Sequence, residues 1–175
     1  TRTAEDAALA LGAIAGHDPK DPTSSGLRVP SYVRALRGGL QGVRIGLPQE
    51  WFFDLVDSQV NRGVVEGVKV LEGLGASTRP ISAPLVTHCM EIGKAIQSAE
   101  AAAYHEEDLG RVPERYGQFM RQWLQSGRFV MATDYIKAQR LRRVLRDQFL
   151  SALSTVDVLV TPTTPMVAPL LNEAH

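Results

Sequence analysis

The most regular hydrophobic pattern in this chain lies between Met131 and Leu153. Its apolar residues fall within about one third of a helical wheel, which predicts a long helix with one buried face. That face consists of Met131, Tyr135, Ala138, Leu141, Leu145, Phe149, Ala152 and Leu153. Thr133 or Asp134 is predicted to cap the free N–H groups at the start of the helix.

An apolar, β-branched run, DVLVT at residues 157–161, follows this helix. It lacks the alternation of polar and apolar residues, which is typical of a strand covered on both faces in a parallel sheet. Two further strands are predicted at 43–48 and 77–81, and the helix predicted between them at 58–74 repeats its apolar residues at spacings of three and four. In such a strand, helix, strand unit the two strands should be parallel and the connection between them right-handed.

Three more helical segments are predicted, at residues 5–15, 85–109 and 116–125. Together with the strands around Val43, Thr78 and Val158, they predict the fold class. The sequence indicates an α/β protein with a small, mainly parallel sheet flanked by helices.

One arginine stands out in the long helix. The helical phase places Arg142 inside the apolar arc, whereas Arg140 and Arg143 fall on the opposite, wet side. Burying an unpaired guanidinium would cost several kcal/mol, so Arg142 is predicted to meet a carboxylate. Asp157 and Glu100 are the predicted partners.

Composition narrows the classes of function. Lys+Arg and Asp+Glu both number 19 in 175 residues, so no broad basic field is present to bind a nucleic-acid backbone, and no nucleic-acid partner is predicted. No apolar run approaches the roughly 20 residues that cross a bilayer, so no membrane association is predicted. The single cysteine excludes an internal disulfide and fits a reducing cytoplasm, the predicted location.

Two clusters of reactive side chains are candidate sites. His88 and Cys89 are adjacent on a predicted helix and therefore point about 100° apart, which favours a buried structural cysteine over a thiol nucleophile. His105 precedes three acidic residues at 106–108, but no second cluster offers ligands at matching spacing, so a solvated helix end is favoured over a metal site. Neither a metal nor a cofactor is predicted.

Both ends of the sequence suggest a piece of a longer chain. The sequence starts at Thr1, not methionine, with almost no turn before the first predicted helix, and its last letters, LLNEAH, stop without a cap or a strand partner. A fragment cut in this way would leave sheet edges and apolar side chains uncovered, so self-association is expected.

Six blocks of sequence, in order and at natural spacing, resemble the amidase signature family: TRTAEDAALAL, GHDPKDPTSS, GVRIGLPQEWF, LEGLGA, DYIKAQRLRR and DVLVTPTTPMVAP. The resemblance spans nearly the whole chain and implies part of that family's α/β/α fold over residues 1–175. The EWFF letters after the first strand favour a free-standing amidase, which hydrolyses carboxylic amides to acid and ammonia or amine. The A subunit of a tRNA-dependent amidotransferase is the second interpretation, and a non-enzymatic binding or assembly module is the third.

The family's catalysis, as the resemblance implies it, uses a serine nucleophile, a second serine on a cis peptide, and a lysine upstream of the block that begins here. Ser24 and Ser25 lack the flanking glycines of that loop, and Gly38 and Gly39 lack its serines. No catalytic residue is therefore assigned, and the chain alone is expected to hydrolyse no amide. Tyr104, Tyr116 and Arg121 are predicted to line the substrate pocket, because polar aromatic and guanidinium groups near helix ends can orient an amide or carboxylate.

Overall fold

The computed structural model describes residues 1–170. The last five residues, which include most of the C-terminal end predicted to lack a cap, lie outside the described part. The chain divides into two compact units, one formed by residues 1–41 and the other beginning at Gly42. Within residues 1–170, no helix combines the length and the apolar character needed to cross a membrane.

The first unit contains two helices, α1 (Ala4–Ile14) and α2 (Tyr32–Ala35). The Thr3 hydroxyl caps α1 by accepting a hydrogen bond from the Asp6 backbone N–H at 3.0 Å, which confirms the predicted first helix.

The second unit is built on a parallel sheet of three strands, β1 (Arg44–Pro48), β2 (Ser77–Ile81) and β3 (Val158–Leu159). β1 lies in the centre and pairs with both neighbours in parallel, and helix α3 (Ser58–Gly73) connects β1 to β2. The predicted strand, helix, strand unit is therefore confirmed, as is the α/β fold class.

β1 is closely packed, as expected of the central strand. Ile45 is only 2% exposed. A Cβ atom on the next residue, Gly46, would lie 2.7 Å from Leu159 Cδ2 and 3.0 Å from Val156 Cγ2, so a side chain here would require these two neighbours to shift.

The prediction for the third strand was wrong in extent and in burial. β3 has two residues instead of five, it lies at the edge of the sheet, and Val158 is 45% exposed. An apolar run indicates side chains that are suited to burial. Burial as a central strand also requires a neighbouring strand on each side. Within the described residues β3 pairs only with β1.

The segment 85–109, predicted to be helical, is largely helical, but it is divided into three elements. A 3-10 helix covers Pro84–His88, α4 follows at Cys89–Tyr104, and α5 at Glu106–Arg111. Pro84 opens the first of these segments, and His105, with φ −92° and ψ 6°, interrupts the helix between the other two. The next helix, α6, runs over Gln118–Gly127, two residues later than predicted at each end.

The longest helix, α7 (Ala132–Leu153), exists as predicted, and its predicted face is confirmed in part. Five of the eight assigned residues are buried or half-buried: Tyr135, Ala138, Leu145, Phe149 and Ala152. Ala138 is 5% exposed and packs in a core with Ile92 and Ile96 of α4, whereas Met131 and Leu141, assigned to the core, are 62% and 42% exposed. The predicted caps Thr133 and Asp134 are wrong as well. The N-cap is Met131, whose side chain makes no capping hydrogen bond.

Arg142 provides the clearest correction. It is exposed, and it forms no ion pair with any residue from 1 to 170. Asp157 instead accepts hydrogen bonds from Arg44, at 2.8 Å from Nη2 and 3.1 Å from Nε. Glu100 accepts from the Tyr135 hydroxyl at 2.9 Å. Neither predicted partner is paired with Arg142, because its side of the helix faces water.

Candidate functional site

The junction between α4 and α5 brings together two of the three predicted pocket residues. Tyr104 ends α4, and His105 separates the two helices. The His105 ring lies edge-on to both tyrosines, with ring centroids 4.9 Å from Tyr104 and 5.6 Å from Tyr116. The two tyrosines therefore flank one histidine.

A hydrogen bond fixes one side of this cluster. His105 Nδ1 lies 3.0 Å from the Tyr116 hydroxyl oxygen, and both side chains are half-buried. In one tautomer the phenol donates its proton to Nδ1, and in the other an Nδ1–H donates to the phenol oxygen. Tyr104 differs, since it is 85% exposed and is held by ring contact with His105.

Sequence reasoning missed His105 as a member of this site. The three acidic residues beside it suggest only a metal ligand, and the described residues contain no group of three side chains suited to a metal ion. The signal that could have found it is a histidine at a helix break, followed by a proline-initiated turn that returns Tyr116 to it.

Arg121 is not bonded to the two tyrosines. It is half-buried on α6, one helical turn before Leu124, which is 1% exposed. Within residues 1–170 its side chain makes no hydrogen bond or ion pair with Tyr104, His105 or Tyr116. A guanidinium two turns further along the chain does reach this region.

That guanidinium belongs to Arg128, whose Nη2 atom lies 3.6 Å from Glu106 Oε1 at the start of α5. The ion pair links the end of α6 to the residue after His105. A second link lies on α4, where the backbone of Gly127 approaches Ser98 so closely that a Cβ atom would stand 2.7 Å from the Ser98 carbonyl carbon. These contacts position α6, and with it Arg121, against α4.

The arrangement can orient a polar substrate but offers no activated nucleophile. A phenol and an imidazole provide donor and acceptor groups at an accessible surface, which suits recognition of an amide or a carboxylate. A nucleophilic hydroxyl needs a base within hydrogen-bond reach. The hydrogen bonds of this cluster involve no serine, threonine or cysteine side chain.

A serine does meet a carboxylate at the carboxyl edge of the sheet, where α/β folds usually bind ligands. Glu50, two residues after β1, accepts a hydrogen bond from the Ser82 hydroxyl and another from the Ala83 N–H at 3.0 Å. These hydrogen bonds lower the pKa of the Glu50 carboxyl, with the Ser82 contribution the larger. A carboxylate with a lowered pKa is a weak base, so the contact ties β1 to β2 and does not activate Ser82.

Cys89 is also unsuited to nucleophilic chemistry. It is a free, half-buried thiol at the start of α4. Burial raises its pKa, and the nearby charge of Glu91 raises it further. Because the thiolate is the reactive form, a raised pKa lowers the reactivity of this cysteine. The burial predicted for it is found only in part, since Cys89 is half-buried.

The fold and the site together define a class of protein. A parallel sheet whose strands are joined by helices makes it an α/β protein, and the tyrosine–histidine cluster is suited to binding. The chain belongs to the amidase family, because the family model described as "Amidase" matches residues 1–175. The family resemblance expected from the six sequence blocks is thereby confirmed.

Two relatives illustrate its place in this family. An amidase from Pseudomonas putida is 39% identical over 168 residues, covering 96% of this chain and 36% of the relative. The A subunit of the glutamyl-tRNA(Gln) amidotransferase of Carboxydothermus hydrogenoformans is 34% identical over 191 residues, covering 95% of this chain and 39% of the relative. The chain spans 36% to 41% of the length of the curated relatives it matches.

Solved structures show the same similarity. A chain of an inhibitor-bound vestigial protein complex, which reveals the evolutionary origins of an s-triazine catabolic enzyme, superimposes with a TM-score of 0.85 at 30% identity, over 97% of this chain and 36% of that chain. The A subunit of the glutamyl-tRNA(Gln) amidotransferase of Thermotoga maritima gives a TM-score of 0.71 at 25% identity, over 99% of this chain and 38% of its own length. The fold described above is therefore part of the amidase fold.

Proposed function

We propose that this chain forms part of an amidase that hydrolyses a carboxylic amide to the acid and ammonia or an amine. The observation that supports this most is the match of the Amidase family model to residues 1–175. The relative from Pseudomonas putida, at 39% identity, is itself named an amidase.

In this proposal the chain contributes recognition and support, and the nucleophile lies in another part of the enzyme. Tyr104, Tyr116 and Arg121 line the substrate pocket, with His105 holding the Tyr116 hydroxyl. The hydrogen bond of 3.0 Å between His105 and Tyr116 supports this role, because it leaves the phenol with a fixed direction for its remaining donor or acceptor.

A second candidate is the A subunit of a tRNA-dependent amidotransferase. It is favoured by the relatives of that name, such as the one from Pseudomonas aeruginosa, which is 36% identical over 198 residues. In that case the amide hydrolysed is that of glutamine, and the protein acts with partner subunits.

Grafting tests both candidates. The chain replaces the corresponding segment of the Pseudomonas putida amidase in one hybrid and that of the Carboxydothermus hydrogenoformans amidotransferase in another. Ammonia release from simple aliphatic and aryl amides by the first hybrid supports the amidase. Glutamine hydrolysis by the second hybrid, assembled with its partner subunits, supports the amidotransferase if the first hybrid releases no ammonia. If both hybrids fold and neither releases ammonia, both proposals fail.

The chain by itself is expected to be inactive on the same amides. Turnover by the purified chain that a serine-directed reagent blocks would contradict this. We further propose that the chain associates with copies of itself and works in the cytoplasm. Exposed apolar residues on α7, including Ile136 and Val144, support the first statement, and the free Cys89 supports the second.

A further inference from the structure

A cavity of about 360 Å³ lies between the end of β2 and the C-terminal end of α7. β2 and the turn after it contribute Arg79, Ile81 and Ser82 to its lining, and α7 contributes Gln148 and Ser151. The volume falls within the range of small-molecule sites, about 300 to 1,000 Å³. The tyrosine–histidine cluster lies elsewhere, since none of its residues lines this cavity.

The side chain of Arg79 lies on the face of the sheet that α7 covers. Thr78 donates a hydrogen bond to Glu72 of α3, so Thr78 faces α3, and the alternation along a strand turns Arg79 to the opposite face. The register agrees, since Arg79 pairs with Gly46, where a Cβ atom would point at Val156, shortly after the end of α7. The guanidinium of Arg79 is therefore on the same side of the sheet as the donors of α7.

Two hydrogen bonds between distant parts of the chain hold the sides of this cavity. Gln148 Oε1 accepts a hydrogen bond from the Leu85 N–H at 3.1 Å, so the NH₂ group of the same amide is left as a donor with a fixed direction. On the other side, the Ser82 hydroxyl donates to Glu50, which is not among the lining residues. The shape of the cavity is thus set by contacts within the chain.

The lining offers hydrogen-bond donors and one positive charge. Within residues 1–170, the Arg79 guanidinium, the Gln148 NH₂ group and the Ser151 hydroxyl donate to no group of the protein. The proton of the Thr155 hydroxyl is engaged, since it donates at 2.8 Å to a carbonyl oxygen of the preceding turn. Among the described residues that line the cavity, Arg79 is the one charged side chain. This lining suits an anion that accepts several hydrogen bonds.

We propose that this cavity binds a phosphate group. Its oxygens accept hydrogen bonds from Arg79, Gln148 and Ser151, and its charge balances that of the guanidinium. The donors approach from two elements, β2 and α7, which suits a tetrahedral group better than the planar oxygens of a carboxylate. The site is independent of the proposed amidase activity, because no residue of the tyrosine–histidine cluster takes part.

Titration of the ¹⁵N-labelled chain with inorganic phosphate, followed by NMR, tests this site directly. Phosphate should shift the side-chain NH₂ signals of Gln148 and the Nε–H signal of Arg79 in a saturable way, with a Kd on the order of 1 mM, as expected for one exposed charge pair. Chloride at equal ionic strength should not shift them, and acetate should bind more weakly. Methyl phosphate separates two sources of the group, since equal binding indicates a phosphorylated ligand and weaker binding indicates free phosphate.

Two substitutions of equal charge change locate the binding. Arg79→Gln should weaken phosphate binding by about fivefold, as expected for loss of an exposed ion pair. Lys69→Gln is the matched control, because Lys69 is an exposed cation on α3, on the other face of the sheet, and it should leave the binding unchanged.

The donor on α7 is tested separately. Gln148→Glu keeps an oxygen for the Leu85 N–H but replaces the donor by a negative charge, so it should abolish phosphate binding while the circular dichroism spectrum confirms that the variant is folded. Four results would each overturn the proposal: shifts no larger than those with chloride, acetate binding as tight as phosphate binding, equal effects of Arg79→Gln and Lys69→Gln, or undiminished binding by a folded Gln148→Glu variant.

Discussion

Replacing Gly127 by alanine perturbs a close contact between α6 and α4. An ideal Cβ atom at Gly127 would overlap the Ser98 carbonyl oxygen, and it would lie 2.7 Å from the Ser98 carbonyl carbon and 2.9 Å from Ala102 Cβ. Because ordinary contacts between heavy atoms need about 3.5 Å, α6 must withdraw from α4 by roughly 1 Å. The nearest obstacle is a backbone atom, so no change of rotamer can relieve it.

The cost follows from overpacking. Forcing a methyl group into a filled interface costs about 1 to 3 kcal/mol, and alanine in place of glycine in a helix returns about 0.5 to 1 kcal/mol. Withdrawal of α6 would also open the environment of Leu124, now 1% exposed. The difference between these two ranges is a net decrease in the free energy of unfolding of about 0 to 2.5 kcal/mol for Gly127→Ala.

Gly67→Ala provides the matched control. Gly67 lies in the middle of α3, and a Cβ atom there would meet nothing within 4 Å. It should raise the free energy of unfolding by about 0.5 to 1 kcal/mol, because alanine loses less backbone entropy than glycine. Both are measured by urea unfolding followed by circular dichroism. If the two substitutions stabilise the chain alike, the close approach of α6 to Ser98 is refuted.

Four further outcomes are expected. Arg44 lowers the pKa of Asp157 to about 2 from an ordinary 3.8, so the stability that this carboxylate contributes is complete above about pH 4 and is lost as the pH falls toward 2. Asp157→Asn should remove that part of the acid-unfolding curve, and an unchanged curve would contradict the contact. Tyr116→Phe should cost about 0.5 to 1.5 kcal/mol in urea unfolding and, in an active hybrid, raise KM more than it lowers kcat. Equal KM values would exclude Tyr116 from the pocket. Arg142→Ala should change the free energy of unfolding by less than about 0.5 kcal/mol, and a larger loss would restore the buried assignment. Leu141→Lys should reduce self-association in analytical ultracentrifugation without loss of stability, and a parent chain that sediments as a monomer at all concentrations would remove the premise.

Local signals predicted the first half of the sheet well. The bounds of β2, Ser77–Ile81, agree with the prediction, and those of α3 differ by one residue. Glycines and prolines mark the ends of these elements, and the valines of α3 repeat with helical spacing. Both signals act over a few residues, so they can be detected without knowledge of the tertiary structure.

The face of α7 was predicted only in part, because polar side chains share its buried side. Gln148 Oε1 accepts a hydrogen bond from the Leu85 N–H at 3.1 Å, and Gln139 Nε2 donates to Glu100 at 3.2 Å. A glutamine that satisfies a distant backbone group counts as polar in any hydrophobic pattern. A buried face predicted from apolar residues alone is therefore rotated, relative to the observed face, toward Arg142.

The candidate site was predicted in part. The chemistry of Tyr104 and Tyr116 makes them candidates from the sequence, and the structure places both against His105. Their proximity depends on the helix break at His105 and on the 3-10 turn Pro113–Arg115 that returns the chain. The break at His105 could not be predicted from helix propensity, because propensity changes little between the alanine-rich sequence before it and the residues after it.

The ion pair between Arg44 and Asp157 also determines which parts of the sheet can form first during folding. Its partners are 113 residues apart in sequence, and the same region closes β3 onto β1. β1 and β2 can pair as soon as α3 has formed, but one edge of the central strand stays open until the end of the second unit has been synthesised. Long-range closure of this kind slows folding and leaves Ile45 exposed to other chains in the interval. A ribosome-bound chain that stops short of Asp157 should therefore be a preferred substrate for chaperones.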